Sequence, residues 1–589
     1  MSTRSRLIMI NRLETNIERM EARLQELGFD LGHEILTESD DMETFPSPPL
    51  PQYDNPTGEE FLEADMGDVG DPFTHVDPTS THGQVEENML PDDLGSFFFP
   101  RSLVDMPVTG GISSLSPEGK EWILRKAGVA ASSQGFSSVP SSKNTRQFSL
   151  RGVFPNTAFS PVPPREEAIS LLDDYLEGFN TLCPLYQRSA LIPLFHDGKL
   201  DIKHQPPGRW ATINVILGLG YMLRIKDRSV AQTDHQKSWM FIKNALGVVN
   251  DLYLGPPDLW AIQSLLGMTI FLLGTCSTQP CSFLISTAVR MSHQIGLERS
   301  VGVSRLCPEE GEQRRRVFWI TYCLDREISL RFSKPFAQRD EDMDVNLPME
   351  TFGDNLDIQQ IRFDAFRSMC QLSMIKSQLY KRLYSAAAMD RPLNELAVAV
   401  GMLDEELQRW KESIPFEYRP EELVSSAFSQ FPVSLALLYL HYSYFDCVIS
   451  IHRLTAKRAR NLMSAVQDCG LDAKPTTPSN PRVYMSASLC AKAARASIDL
   501  MRYIPQGNIC VVGIMIHYPI VASMTLSWCI IRNPLDVSRA YDMKLIARVE
   551  RFLASLVLGT PNEIVKRLVK FCAKYRGLAE TAINGTGQA

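Results

Sequence analysis

Apolar residues first recur in alternating steps of three and four, with Ile10, Ile17 and Leu24 interleaved by Leu13, Met20 and Leu27 before Gly28 interrupts the run. Such spacing keeps one apolar stripe on one side of a helix, so it predicts a short coiled-coil helix over residues 7–28 with those six side chains as a dimerisation seam. Glu14, Glu21 and Arg23 flank the stripe and keep its edges polar. Under three heptads long, the helix would pair weakly by itself, and the alternative is that it packs on its own domain.

The periodicity then disappears. Residues 34–148 are rich in Pro, Ser, Gly and acid, and from Glu34 to Asp93 there are 17 Asp and Glu with no Lys or Arg. A segment of that composition buries too little apolar surface to offset chain entropy, which predicts disorder. Phe61-Leu62, Phe73 and Phe97-Phe98-Phe99 stand isolated within or beside the acidic run. Apolar groups held exposed by surrounding acid are the composition of activation segments that fold onto a partner, and a plain solvated linker is the competing reading. Leu115 to Lys126 is a candidate ordered island, with Ser116-Pro117-Glu118 as a helix start.

From Arg165 onward the period becomes helical. Ala168, Leu171, Leu172, Tyr175, Leu176 and Phe179 form the first stripe, and similar stripes recur as far as Tyr575 without convincing alternation of the strand type. Residues 165–580 are therefore expected to be one large all-α domain, a multi-helical body preceded by the short helix and the acidic segment. Loops are expected at Pro206-Pro207-Gly208, Gly255-Pro256-Pro257, Ser333 to Pro348 and Asp472 to Pro481. Ile509 to Ile531 runs 23 residues without a formal charge. It satisfies the length for a membrane span, but its His, Tyr, Pro, Ser and Thr content favours a buried core helix broken at Pro519, and no membrane association is expected.

Charge and cysteines sharpen this picture. The formal net charge of −8 divides into a strongly acidic strip and a mildly basic remainder, about +9 over residues 94–589. Asymmetry of that kind suits interaction tails more than catalysis. All twelve cysteines lie between Cys183 and Cys572 at irregular spacing, mostly inside apolar runs, which predicts reduced intracellular thiols rather than a disulfide framework.

One region carries more than periodicity. Leu284, Ala288, Met291 and Ile295 recur at helical spacing before Gly296, which supplies a left-handed stop. Pro308-Glu309-Glu310 then opens a helix, since proline suits its first position and acids its positive end. Val317, Ile320, Leu324 and Ile328 form its inward stripe, and Arg314-Arg315-Arg316 precede Phe318-Trp319. The ordered succession Ala288-Val289-Arg290-Met291, Ile295-Gly296-Leu297-Glu298-Arg299, Glu312 through Trp319, Leu324-Asp325-Arg326, Lys334-Pro335 and Asp342 through Pro348 resembles the middle homology region of fungal binuclear zinc-cluster transcription factors. Looser likeness extends from Tyr175 through Tyr186 and from His441 through Arg453, and the heptad helix resembles the dimerising segment of such factors. On that resemblance Gly296, Leu297, Arg314, Arg315, Arg316, Phe318, Trp319, Asp325, Arg326, Pro335 and Pro348 are the structural and regulatory motif residues.

The resemblance implies a nuclear transcription regulator acting through RNA polymerase II. It pairs as a homodimer or heterodimer, contacts the transcription machinery through the acidic segment and responds to a small-molecule effector. It also implies DNA binding through two zinc ions, but no cysteine precedes Cys183, so the six-cysteine module is not built from these residues. The alternative is a co-regulator or dimerisation partner of zinc-cluster factors without direct DNA contact. A further departure is Ser333-Lys334-Pro335, where the family usually has Gly-Arg-Pro.

Other chemistry is weakly represented. There is no Gly-rich phosphate loop ending in Lys-Ser/Thr, no Gly-x-Ser-x-Gly elbow and no His-Glu-x-x-His helix, so no catalytic residues are assigned and no enzyme is expected. Cys276 and Cys281 are too far apart for a Cys-x2-Cys pair, and no metal site is expected. Asp340, Asp342 and Asp344 imitate a calcium loop, but Val345 and Thr351 replace its required Gly and Glu. Arg314 to Arg316 and Lys457-Arg458-Ala459-Arg460 suit phosphate contact or nuclear import; the commoner fate of such runs is a solvated face or pairing within the domain. Asp325 and Arg326 are expected to diverge and to brace neighbouring helices.

Overall fold

The apolar period that begins at Ala168 forms a helix over Arg165–Glu177 (α1), with Ala168, Leu171, Leu172, Tyr175 and Leu176 on its buried face. The computed structural model describes residues 160–586 apart from internal segments at 197–199, 201–204, 226–230, 275–277, 301–305, 333, 350–362, 422–432, 469–480, 505–508 and 560–562. The heptad helix, the acidic segment and the island at 115–126 lie outside the described residues.

After α1 come Arg188–His196 (α2), Pro207–Arg224 (α3), Ala231–Gly247 (α4), Val249–Leu254 (α5), Leu259–Gly274 (α6), Thr278–Gln294 (α7) and Pro308–Phe332 (α8). The loop expected at Pro206-Pro207-Gly208 is shorter than its composition suggests. Pro206 caps α3 and Pro207 occupies its first turn, where a missing N–H leaves no hydrogen bond unmade. From Ala261 to Gly274 every residue of α6 is buried, so it is apolar all round rather than amphipathic. It packs against α3 and α7 at the centre of a first core running from Ala168 to Val345.

A second core follows. Ala365–Leu379 (α9) continues through a π-turn at Tyr380–Tyr384, and Leu393–Ser413 (α10), Leu435–Asp468 (α11), Pro481–Asp499 (α12), Ile509–Met515 (α13), His517–Arg532 (α14), Arg539–Gly559 (α15) and Glu563–Thr586 (α16) complete it. No strand occurs among the described residues, and the fold is all-α. The uncharged run is the core helix that its composition favours: the span Val511–Arg532 is long and apolar enough to cross a membrane, but 89% of its apolar window is buried inside the protein. Its break differs from the expected one. The helix stops at Met515 and restarts at His517, so Pro519 falls in the first turn of α14, where its absent N–H is not missed.

The two cores meet where α13 crosses α6. Gly513 lies so close to Gly274 that a Cβ at 513 would stand 1.7 Å from the Gly274 carbonyl oxygen, and Ile514 packs into the first core. Only glycine permits that approach.

Candidate functional site

The motif residues converge on α8 and the extended strap that follows it, residues 334–349. Pro308 and two acids open the helix as expected, and Val317, Ile320 and Ile328 are fully buried, while Leu324 is only half-buried. The strap contains a short 3-10 turn at Asp340–Asp342 and otherwise forms few backbone hydrogen bonds. Buried backbone groups need partners, and the side chains of α8 supply them.

Near the start of α8, Glu312 has a fully buried side chain. It accepts a 3.0 Å bond from Arg316 Nε, another from Arg315, and a third at 3.0 Å from the Met349 N–H of the strap. Arg314 pairs with Glu310 at 3.5 Å. Among the readings open for this basic run, pairing within the domain is the observed one. One turn on, Phe318 and Trp319 are buried, and Trp319 Nε1 donates to the Asn346 carbonyl at 2.8 Å. Pro348 is buried and accepts from Arg367, whereas Pro335 is exposed.

Asp325 and Arg326 form the middle of the strap clamp and correct the expectation that they diverge. Arg326 Nη1 donates to Asp325 Oδ2 at 2.7 Å, because a long guanidinium can curl back across the angle between adjacent helical positions. Its Nη2 donates to Gln338 O at 2.9 Å and to Asp340 Oδ1 at 2.8 Å, and its plane lies 3.7 Å from the Tyr322 ring centroid and 4.5 Å from that of Phe336. Asp325 accepts the N–H groups of Ala337 and Gln338 at 3.1 Å. Both residues therefore grip the strap rather than neighbouring helices. Burial pushes the Asp325 carboxyl above its ordinary range, against the opposing pull of Arg326 and the two backbone donors. Asp340 also accepts from Tyr322 at 2.8 Å and Ser377 at 2.7 Å, and Asp344 accepts the Ser300 N–H at 2.7 Å. Of the three aspartates that imitate a calcium loop, Asp340 and Asp344 are thus committed to protein donors, and Asp342 is exposed.

Gly296 ends α7 at φ +70°, a conformation that favours glycine, and the buried Leu297 follows it. The turn holds the strap's far end: Asp344 N–H donates to Glu298 O at 3.1 Å.

Toward the end of α8 lies a second polar cluster that the motif does not include. Glu327 accepts from Arg331 Nε at 2.8 Å, from the Tyr518 hydroxyl at 2.8 Å and from Lys376. Arg331, Lys376, Tyr518 and His517 are all at most 4% exposed, and Arg331 reaches the Ile514 carbonyl at 3.4 Å. Burial alone would raise the Glu327 carboxyl, but Lys376 and Arg331 outweigh it and hold it far below the usual carboxylate range. Lys376 is correspondingly raised: burial lowers it and the Glu327 charge more than compensates. His517 is held well below its ordinary value by burial and then by the Arg331 charge, which keeps it neutral. This node joins α8, α9, α13 and α14, and so spans both cores.

Sequence reasoning did not find Lys376, His517 or Tyr518, nor Gln338, whose amide bonds His293. The only signal for them was a charged or polar residue inside an otherwise apolar stripe. Lys457 to Arg460 fall on α11, with side chains outside the described set. Among the described residues no group of three or more His, Cys, Asp or Glu is placed to hold a metal, so the two zinc ions have no ligand set there. An open cleft of about 500 Å³ lies beside Gln378, Lys381, Arg382, Arg391 and Met402.

Comparison with known proteins identifies the region. Residues 172–412 match the family described as the fungal specific transcription factor domain. The chain is 38% identical over 489 residues to an ABC-transporter-regulating transcription factor of Aspergillus fumigatus, covering 81% of this chain and 54% of that protein. It is 26% identical to the Fusaridione A cluster transcription factor of Fusarium heterosporum, covering 74% of this chain and 81% of the relative. The chain spans about half the length of the Aspergillus relatives it matches. The family and these relatives are transcription regulators, not enzymes. No solved structure matches.

Proposed function

From the premise that residues 172–412 belong to the fungal specific transcription factor domain family, we propose that this chain is a nuclear transcription regulator acting through RNA polymerase II. The observation that carries the reading is the fate of the motif: residues scattered from Gly296 to Pro348 assemble into one clamp inside the matched region. In this reading residues 165–580 act as the regulatory domain, and the helix at 10–27 pairs two subunits through Ile10, Leu13, Ile17, Met20, Leu24 and Leu27. The acidic residues 34–148 engage the transcription machinery. A small-molecule effector binding the helical domain would control activity, and DNA would be read by a zinc cluster lying outside these residues.

The test is to tether residues 1–589 to an unrelated DNA-binding module upstream of a reporter in a fungal host. A severalfold change in reporter output, reduced by deletion of residues 34–148, is expected. Output equal to that of the module alone overturns the reading.

The heptad spacing of Ile10, Leu13, Ile17, Met20, Leu24 and Leu27 also suits a second reading, a co-regulator that acts without touching DNA and pairs with zinc-cluster relatives through that seam. Both readings expect residues 1–589 to discriminate poorly between cognate and scrambled DNA in a mobility-shift assay. Both also place pairing in the heptad seam, so a clean monomer by light scattering, with and without the first 30 residues, would count against that seam in either reading.

A further inference from the structure

The corner between α14 and α15 holds its apolar side chains in solvent. Leu535 is 69% exposed, Val537 97% and Tyr541 49%, and no other seven consecutive described residues carry three exposed large apolar side chains. Scattered singly, such residues are ordinary on a protein surface, but a cluster of them marks a contact. The turn is closed from within: the Asp536 N–H donates to the Asn533 carbonyl at 3.1 Å, and the Asp536 carboxylate accepts the Ser538 N–H at 2.8 Å.

Beyond Tyr541 the same face becomes basic. Tyr541, Lys544, Arg548 and Arg551 follow at steps of three, four and three, which places them on one stripe of α15, and the three cations are exposed. Arg548 pairs with Asp499 at 2.7 Å, and Arg551 Nε donates to the Ala547 carbonyl at 3.3 Å. Among the described residues no carboxylate pairs with Lys544 or Arg551. From Tyr541 to Arg551 the helix rises about 15 Å.

One segment of the chain carries both complements. Glu86, Glu87, Asp92 and Asp93 precede Phe97-Phe98-Phe99, with no Lys or Arg from Glu86 to Phe99. Acid comes first there and aromatic second, whereas the corner reads apolar first and basic second, so the two match when laid antiparallel. Glu86 to Asp93 extend to at most about 28 Å, enough to follow the stripe. The connection of about 60 residues from Phe99 to Ser160, where the described residues begin, reaches any point of the domain. Residues 86–99 themselves lie outside the described residues.

We propose that Glu86 through Phe99 dock along this corner, the phenylalanines over Leu535, Val537 and Tyr541 and the four acids beside Lys544, Arg548 and Arg551. A tethered segment meets its surface at high effective concentration, so individually weak contacts suffice. Exposed ion pairs contribute little singly, and the phenylalanines supply the apolar burial. Docking of this kind stands whether or not the acidic segment engages the transcription machinery.

The test is zero-length carbodiimide crosslinking of the full chain, which joins touching carboxylates and lysines, followed by digestion and mass spectrometry. Lys544 is expected to be joined to Glu86, Glu87, Asp92 or Asp93, with the exposed Lys381–Glu341 pair as internal standard. The double variants Phe97→Ser with Phe98→Ser, and Val537→Ser with Tyr541→Ser, should each lower the Lys544 yield severalfold and leave the standard unchanged. Val537 and Tyr541 belong to neither core, and the standard reports on the fold. An unchanged yield in either variant overturns the proposal, as does absence of the Lys544 crosslink under conditions that join Lys381 to Glu341. Equal joining of Lys544 to the earlier acids between Glu34 and Asp77 also overturns it, since acid alone would then be recognised. In a mixture of isotopically light and heavy chains, crosslinks within one label support docking within the chain, and mixed-label crosslinks put a second copy there instead.

Discussion

The two ends of α8 do different work with the same kinds of side chain. At the strap clamp, Glu312, Asp325 and Arg326 satisfy an extended segment that has few backbone bonds of its own, and many of their partners are main-chain groups a short distance away in the chain. At the node, Glu327, Arg331, Lys376 and Tyr518 satisfy one another, with partners up to 191 residues distant and almost no solvent contact. The clamp solves a local backbone problem, whereas the node spans two cores. Charges buried in pairs contribute little net stability, yet removing one partner is costly because the other remains desolvated.

That contrast sets the order of effects. Lys376→Met should be the most damaging change, losing about 3–5 kcal/mol in a denaturant titration, because it leaves the Glu327 carboxylate short of a cation. The double variant Glu327→Leu with Lys376→Met should recover part of the loss. A cost for Lys376→Met below about 1 kcal/mol would show that the node is solvated and the contrast false.

Acid should next weaken the second core. His441 is fully buried, with Nε2 2.8 Å from the Tyr418 carbonyl oxygen, and burial lowers its pKa from 6.5 to about 4. Between those values the unfolded chain binds more protons than the folded one, so stability falls as pH drops through that window, by about 3 kcal/mol for this group. His517 acts in the same direction, and Glu327 adds a loss as pH falls below the ordinary carboxylate range. Asp325 and Asp446, whose carboxyls are raised by burial, oppose the trend. Denaturation midpoints measured at pH 6.5 and pH 4 check the sign, and equal midpoints would contradict it.

On the clamp side, Arg326→Lys keeps the charge but loses the forked contacts to Asp325, Gln338 and Asp340. A loss of about 2 kcal/mol is expected, with protease cleavage appearing first within residues 334–349. Cleavage elsewhere would mean that the arginine does not hold the strap. Gly296→Ala should cost about 1 kcal/mol, from backbone strain alone, since no atom lies within 4 Å of the added methyl. As a control away from both clusters, breaking the exposed Arg409–Glu405 pair should shift the unfolding free energy by less than about 0.5 kcal/mol.

The legibility of each cluster follows from the same physics. Gly296 was readable because a left-handed stop admits few residues, and Pro308 because a helix start tolerates it. The clamp residues were readable as an ordered motif because clamp and strap are close in sequence. Their roles were not, since whether Arg326 folds back on Asp325 or reaches outward depends on where Gln338 and Asp340 come to lie. The break before Pro519 was misplaced by three residues because proline is a good first-turn residue as well as a breaker.

By itself, the sequence determined that the body is helical, which faces of α1, α7 and α8 turn inward, and where charge and cysteine are excluded. Periodicity is a property of each helix alone, so it is readable without knowledge of the neighbours. Only the tertiary structure decided that Glu327 meets Lys376 and Tyr518 and that Gly513 touches Gly274. Those pairings depend on how distant helices cross, and no local pattern encodes a crossing.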